Sequence, residues 1–193
     1  MERKRELTKN LLAESFKELL IKGSFDKITI KMITDQAGVI RPTFYNYFQD
    51  KYEVMEWLLW EDVFKEVSEL MEQERGMESL KLLFRKFEED KTYYEKVFEV
   101  TGQNSFEEML YGQIFNMEEI LLKHHPLKHL SNMPHVDEKV FLEFHAISLV
   151  NGLKYWLIRE SKNISAGDAM EFYQYMMSHS ILDLLDIENT EKK

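Results

Sequence analysis

The chain of 193 residues contains no cysteine, three prolines and seven glycines. Without cysteine there is no disulfide framework, no thiolate nucleophile and no cysteine metal site. So few turn-forming residues leave little room for reversals, which favours long helices over many short strands. No apolar run approaches the length of a membrane span, and the opening MERKRELTKN lacks the apolar core of a signal peptide. A soluble, cytoplasmic protein with no membrane partner is the expectation. Catalytic signatures are missing too: there is no Gly-rich phosphate loop and no nucleophile elbow. The Glu-x-x-His pairs of a di-iron bundle do not occur either. His125 and His129 have helical spacing, but Pro126 between them interrupts the helix that would align them. The histidine-bearing stretch around Pro126 and Pro134 therefore reads as a loop, and no enzyme, cofactor or metal is expected.

Hydrophobic residues make up 44% of the chain, enough for a sizeable core. The length suits one domain, or a small domain fused to a larger one. A net charge of −10 looks unsuited to nucleic acid until it is divided. Residues 1–51 hold 10 Lys/Arg against 7 Asp/Glu, a balance of +3; residues 52–193 hold 15 against 28, a balance of −13. Arg3, Lys4, Arg5, Lys9, Lys31, Arg41 and Lys51 collect at the N-terminal end. Phosphate contacts need only a local basic surface, since salt limits the reach of charge to about 8–10 Å. A solvated, slightly basic end of an acidic bundle would show the same distribution.

The stretch KITIKMITDQAGVIRPTFYNYFQDKYEV, residues 27–54, carries the most information. Ile30, Ile33 and Ala37 recur at helical spacing and give a first short helix one buried face. Gly38 is the natural turn residue after it, and Val39 re-enters the core. Pro42 suits the first turn of a second helix, where its missing N–H does no harm. Phe44 and Phe48 share the inner face of that helix, which turns Pro42, Asn46 and Gln49 outward, flanked by Thr43 and Tyr45. A helix-turn-helix presents its second helix to the major groove in this way.

These residues resemble the N-terminal domain of TetR-type transcriptional regulators. The shared pattern reads here as Thr29, Ile30, Ile33, Ala37, Gly38, Val39, Thr43, Phe44, Tyr45, Tyr47, Phe48 and Lys51. It extends upstream through a helix over about residues 8–22 and the Gly23-Ser24-Phe25 break, covering roughly the first 55 residues. The resemblance implies an all-α protein of about nine helices. Residues 1–51 would form a three-helix DNA-binding domain, and residues 52–193 a helical bundle for effector sensing and dimerisation. It further implies that Thr43, Tyr45, Tyr47 and Lys51 position the protein on phosphates, with Lys31 assisting. Arg41, Pro42 and Asn46 are the residues suited to base edges: Arg to guanine, Asn to adenine, Pro to a thymine methyl. Ile40 stands where the family often has a small polar residue, which removes an expected helix cap.

Beyond Lys51 the periodicity predicts helices over about 52–71, 77–88, 92–100, 106–123, 137–160 and 165–186, with Gly76 as a break. Ser105 to Glu108 reads as a capping box. The last two helices bear apolar stripes, from which Leu149, Gly152, Leu153, Trp156, Tyr173, Met176, Met177 and Ile181 are expected at a dimer interface. An intrachain core would use the same stripes. In TetR-type proteins the corresponding helices pair as a four-helix bundle. On the same resemblance, Trp57, Trp60, Phe64, Phe87, Tyr94, Phe98, Tyr111, Phe115, Phe144 and His145 fall on the helices that enclose an effector pocket. Ordinary core packing is the competing reading for each. The segments VFEVTGQNSFEEML and FHAISLVNGLKYWLIRE are similar to a subgroup that includes regulators of dihydroxyacetone kinase operons. Some members of that subgroup are activators answering to a protein co-activator. The expected function is thus a dimeric regulator, taken as a repressor of a palindromic operator released by an apolar or aromatic effector. The alternative is an activator under a protein co-regulator.

Overall fold

The structure is a computed structural model that describes residues 2–125, 127, 136–180 and 183. Within these there are ten α-helical segments, one 3₁₀ turn, two π-turns and no strand. The helices α1 (Glu2–Lys22), α2 (Ile30–Gln36) and α3 (Arg41–Tyr45) come first, with the 3₁₀ turn Phe25–Lys27 between α1 and α2. Next are α4 (Lys51–Leu59) and α5 (Lys65–Glu72), which run on as one rod through the π-turn Trp60–Phe64. Then follow α6 (Gly76–Glu89), α7 (Lys91–Val97), α8 (Phe106–His124), α9 (Glu138–Tyr155, continued by the π-turn Trp156–Glu160) and α10 (Ala166–Ser178). Counting α4–α5 as one rod gives nine helices among the described residues, in line with the sequence reading.

Caps explain most of the helix starts. Thr29 Oγ1 accepts from the Met32 N–H at 3.2 Å, and Asp50 Oδ1 accepts from Tyr52 and Glu53. At α8 half of the expected capping box forms: Ser105 accepts from the Glu108 N–H, while Glu108 accepts from the N–H of Asn104, one residue before the cap. Asp137 and Ser165 open α9 and α10 in the same manner. Two boundaries differ from expectation. Gly76 opens α6 instead of breaking the chain; the reversal lies before it, at Glu74 with φ 59°. And α10 ends at Ser178, because His179 is extended at φ −128°, ψ 142°. The expected continuation to residue 186 falls largely outside the described residues, as does the loop with His129 and His135.

One apolar core runs from α1 to α10. Leu12, Phe16, Ile33, Phe44 and Phe48 fill the space beneath the first three helices, and Val54, Leu58, Leu59 and Phe64 continue it along the α4–α5 rod. Farther on, Phe87, Tyr94, Phe98 and Phe106 pack ring against ring, with centroids 4.4–6.5 Å apart. In the larger part α8 packs on α9, and α10 packs on α6. The helix α1 lies against α2, α4 and α7, so it touches both parts of the molecule.

A candidate DNA-binding face and its helical support

The outer face of α3 is built by what lies under it. Ala37 ends α2, and Gly38 takes φ +67°, a left-handed turn that a side chain would strain. The Val39 N–H then donates to the Thr34 carbonyl at 3.0 Å, closing the reversal. Ile40 precedes α3 without a side-chain cap and is 70% exposed, as its departure from the family pattern implies. Five residues cannot hold a helix alone. Phe44 and Phe48 do so by burial: both are in the core, their rings 5.7 Å apart. The opposite side leaves Arg41, Pro42, Tyr45 and Asn46 exposed together, with Thr43 and Tyr47 half-buried beside them.

Within this face Arg41 is not free-standing. Its Nη2 donates to the Tyr45 hydroxyl at 3.0 Å, and its guanidinium lies 5.7 Å from the Tyr45 ring centroid. Lys31 is exposed and paired with Asp35 one turn on. Arg5 sits over Tyr47, and Lys9 over both Phe48 and Trp57, so α1 adds two cations to one edge. Lys51 faces inward instead. Its ammonium donates to the carbonyls of Phe25 (2.6 Å) and Ile28 (3.2 Å) and stands 4.1 Å from the Phe25 ring. Burial lowers its pKa, against the pull of Asp26. Two of its three donors thus tie α4 to the turn after α1. Nothing in the bare pattern shows that second role, because the carbonyls lie 23 and 26 residues upstream.

One buried cation ties this support to the larger domain. Lys17 of α1 donates to Asp62 (3.1 Å), within the π-turn, and to Asp90 (2.5 Å), at the start of α7. Burial alone would lower its pKa, but hydrogen bonds and charge from Asp90 and Asp62 outweigh it and raise the value. Sequence reasoning missed this triad, since three distant charges carry no joint signal.

The ten aromatic and histidine positions expected to line a pocket do not come together around one space. Phe64, Phe87, Tyr94 and Phe98 are core. Trp57 packs on Phe48, towards the head. Tyr111 and Phe115 stack partly buried on α8, their centroids 6.0 Å apart. Trp60 is exposed, and Phe144 is 71% exposed. His145 alone of the ten joins Glu118 and Tyr173: its Nδ1 is 2.5 Å from Glu118 Oε1, and its Nε2 3.4 Å from the Tyr173 hydroxyl.

The residues expected at a dimer face divide similarly. Leu149, Leu153, Trp156 and Tyr173 are buried within the chain. Gly152 permits close approach, but to Tyr173 of α10: a Cβ there would stand 3.2 Å from its ring. Met176 and Met177 are exposed, and Ile181 lies outside the described residues. Exposed apolar side chains lie instead on the outer side of the same helices: Phe144, Ile147, Tyr155 and Ile158 along α9, and Phe172 and Tyr175 on α10. Stricter use of the 100° helical step would have separated them from Ala146, Leu149, Leu153 and Leu157.

Comparison with known proteins decides what this architecture is. Residues 16–57 match the family described as bacterial regulatory proteins, tetR family, and residues 74–178 match its transcriptional regulator C-terminal region. The chain belongs to the TetR family. By its family it is a transcriptional regulator. This TetR-family chain is 29% identical over 92 residues to the HTH-type dhaKLM operon transcriptional activator DhaS of Lactococcus lactis subsp. lactis (strain IL1403). That match spans 48% of this chain and 49% of the relative, about half its length. A solved structure of a dihydroxyacetone kinase operon activator DhaS aligns with TM-score 0.61 and 25% identity, covering 94% of this chain and 96% of that one. A TetR regulator from Streptococcus agalactiae 2603V shares the fold at TM-score 0.65 and 20% identity, covering 91% and 96%. No helix among the described residues is long and apolar enough to cross a membrane.

Proposed function

We propose that this TetR-family regulator binds a palindromic operator as a homodimer, each copy placing α3 in a major groove. One observation carries the reading: Arg41, Pro42, Tyr45 and Asn46 stand exposed on one face of a helix pinned from behind by Phe44 and Phe48. In complex, Arg41 leaves Tyr45 for a guanine edge and Asn46 meets an adenine. Thr43, Tyr45, Tyr47 and Lys31 contact phosphates, and Lys51 holds the head together while its third donor faces the backbone. Two-fold pairing through the exposed apolar side of α9 and α10, with Met176 and Met177, sets two half-sites about one helical turn or a small multiple apart. On this reading the working units are residues 1–51 for DNA and 52–193 for sensing and pairing.

A gel-shift series tests the head. Arg41→Ala is expected to lose about 1–3 kcal/mol on the preferred operator and to relax choice at one base pair. Equal weakening on every sequence would make Arg41 a phosphate contact and overturn its base-reading role.

Control follows from differential binding. An effector that prefers the dimer with widely spaced α3 helices releases DNA, by no more than its affinity difference between the two states. That is repression relieved by a small molecule. A second reading, activation under a protein co-regulator, is favoured by the likeness to DhaS, whose name is that of an activator. Transcription in vitro from a bound promoter separates the two: less transcript on adding the protein supports the first, more supports the second.

A further inference from the structure

Between the start of α6, α8 and α9 lies an open cavity of about 450 Å³. Its walls are apolar and rich in thioether: Met71, Met77, Leu80, Met117, Leu121 and Leu149. The polar lining is one-sided. Glu74, Glu78 and Glu118 contribute carboxylates, His125 and His145 imidazoles and Ser79 a hydroxyl, and among the described residues neither Lys nor Arg lines it. Glu118 is the unusual member, a carboxylate only 5% exposed. Its Oε1 is engaged by His145, but its Oε2 is buried with no hydrogen-bond partner among the described residues. The Tyr173 hydroxyl, whose pKa burial and then Glu118 push well up, stays protonated on the far side of His145. A buried carboxylate oxygen without a donor is costly, so the site is short of one positively polarised group.

We propose that this cavity binds an organic amine, with the apolar body against the methionine and leucine walls and the ammonium donating to Glu118 Oε2. The terminal torsion of a glutamate is soft, so Glu118 can turn Oε2 towards an incoming ammonium. Glu74 adds attraction for a cation and repels an anion of the same shape, while Glu78 is already paired with Arg75 at 3.5 Å. This assignment names the effector class for the larger domain and rests on the effector reading of the preceding section.

Calorimetric titration of phenethylamine, 3-phenylpropionate and 2-phenylethanol into the full chain without DNA tests it. The amine is expected to bind at least about tenfold more tightly than the acid and the alcohol, because a hydrogen bond to a charged partner is worth that ratio or more. Glu118→Gln should weaken the amine by about tenfold or more and leave the alcohol unchanged. Leu121→Trp fills the cavity while keeping the Glu118 carboxylate, so it should abolish amine binding with unchanged far-UV dichroism. It also decides the matter if Glu118→Gln does not fold. Equal binding of acid and amine, no heat with the amine, or amine binding indifferent to Leu121→Trp would each overturn the proposal. A parallel operator titration keeps the two readings apart: amine binding with unchanged operator affinity leaves the site standing and removes its control of DNA.

Discussion

In the N-terminal head, Ser15, Thr34 and Lys51 turn polar atoms inward, and each finds a backbone carbonyl, at 2.7, 3.0 and 2.6 Å. The larger domain instead buries the hydroxyls of Tyr93 and Tyr94 and one oxygen of Glu118 without any partner, and these are the only such side-chain atoms among the described residues. A buried polar group left unpaired costs about 1–3 kcal/mol. The head therefore has one well-satisfied arrangement, which suits the proposed presentation of Arg41 and Asn46 at fixed angles. The larger domain carries an unfavourable term that a bound donor or a second packing can relieve. Lys17 joins the two across the π-turn, a device found often where helices have functional work to do.

The largest expected effect tests the rigid side. Phe44→Ala removes the ring beneath α3 and should cost about 3–5 kcal/mol in urea unfolding. Operator binding should be lost well before the larger helices unfold. A cost below about 1 kcal/mol would mean that α3 is not held by this core.

The junction comes next. Lys17→Met leaves Asp62 and Asp90 facing each other without their cation, with side chains 31% and 45% exposed. Water therefore softens the loss, to about 1–3 kcal/mol. The pH dependence has a definite sign. A lysine whose folded pKa is raised contributes stability that is full below 10.5 and lost as pH rises past that value. Thermal melts of wild type and variant should thus converge at alkaline pH; a constant gap would dismiss the ion triad.

Gly38→Ala is smaller. At φ +67° a Cβ meets no neighbour but strains its own backbone, at about 1 kcal/mol. An unchanged melting temperature would show that the turn can relax without moving α3.

The smallest effect sharpens the other side. Tyr93→Phe and Tyr94→Phe each delete a hydroxyl that has no partner, so stability should hold or rise by up to about 1 kcal/mol. Burial first raises both phenols well above 10.0, followed by nearby carboxylates for Tyr93 and by the Tyr93 phenol and then Asp62 and Asp90 for Tyr94, so wild type loses stability as pH climbs beyond 10. The Phe variants should lose less in that window. Destabilisation by more than about 1 kcal/mol would reveal a missed hydrogen bond and erase the contrast between the two regions.

The head was largely legible before the fold was known, because its logic is local. The Ile30–Ile33–Ala37 spacing, Gly38, Pro42 and the Phe44–Phe48 pair lie within 19 residues and constrain one another. The outward position of Pro42, Asn46 and Gln49 followed from the helical step alone. Lys51 shows where local logic ends, since its partners belong to the turn after α1. In the larger domain an aromatic side chain serves core, cavity or surface equally well by composition. Phe98 and Phe144 looked alike as pocket residues, yet one is core and the other faces solvent.

By itself the amino-acid order determined helices, caps and the short segment that faces outward from two phenylalanines, because those depend on neighbours three or four residues away. Only tertiary packing decided which stripe of α9 is core, that Lys17 reaches Asp62 and Asp90, and that His145 takes one oxygen of Glu118 and leaves the other unpaired. Burial and charge pairing between distant elements are properties of the assembled bundle, and no local pattern encodes them.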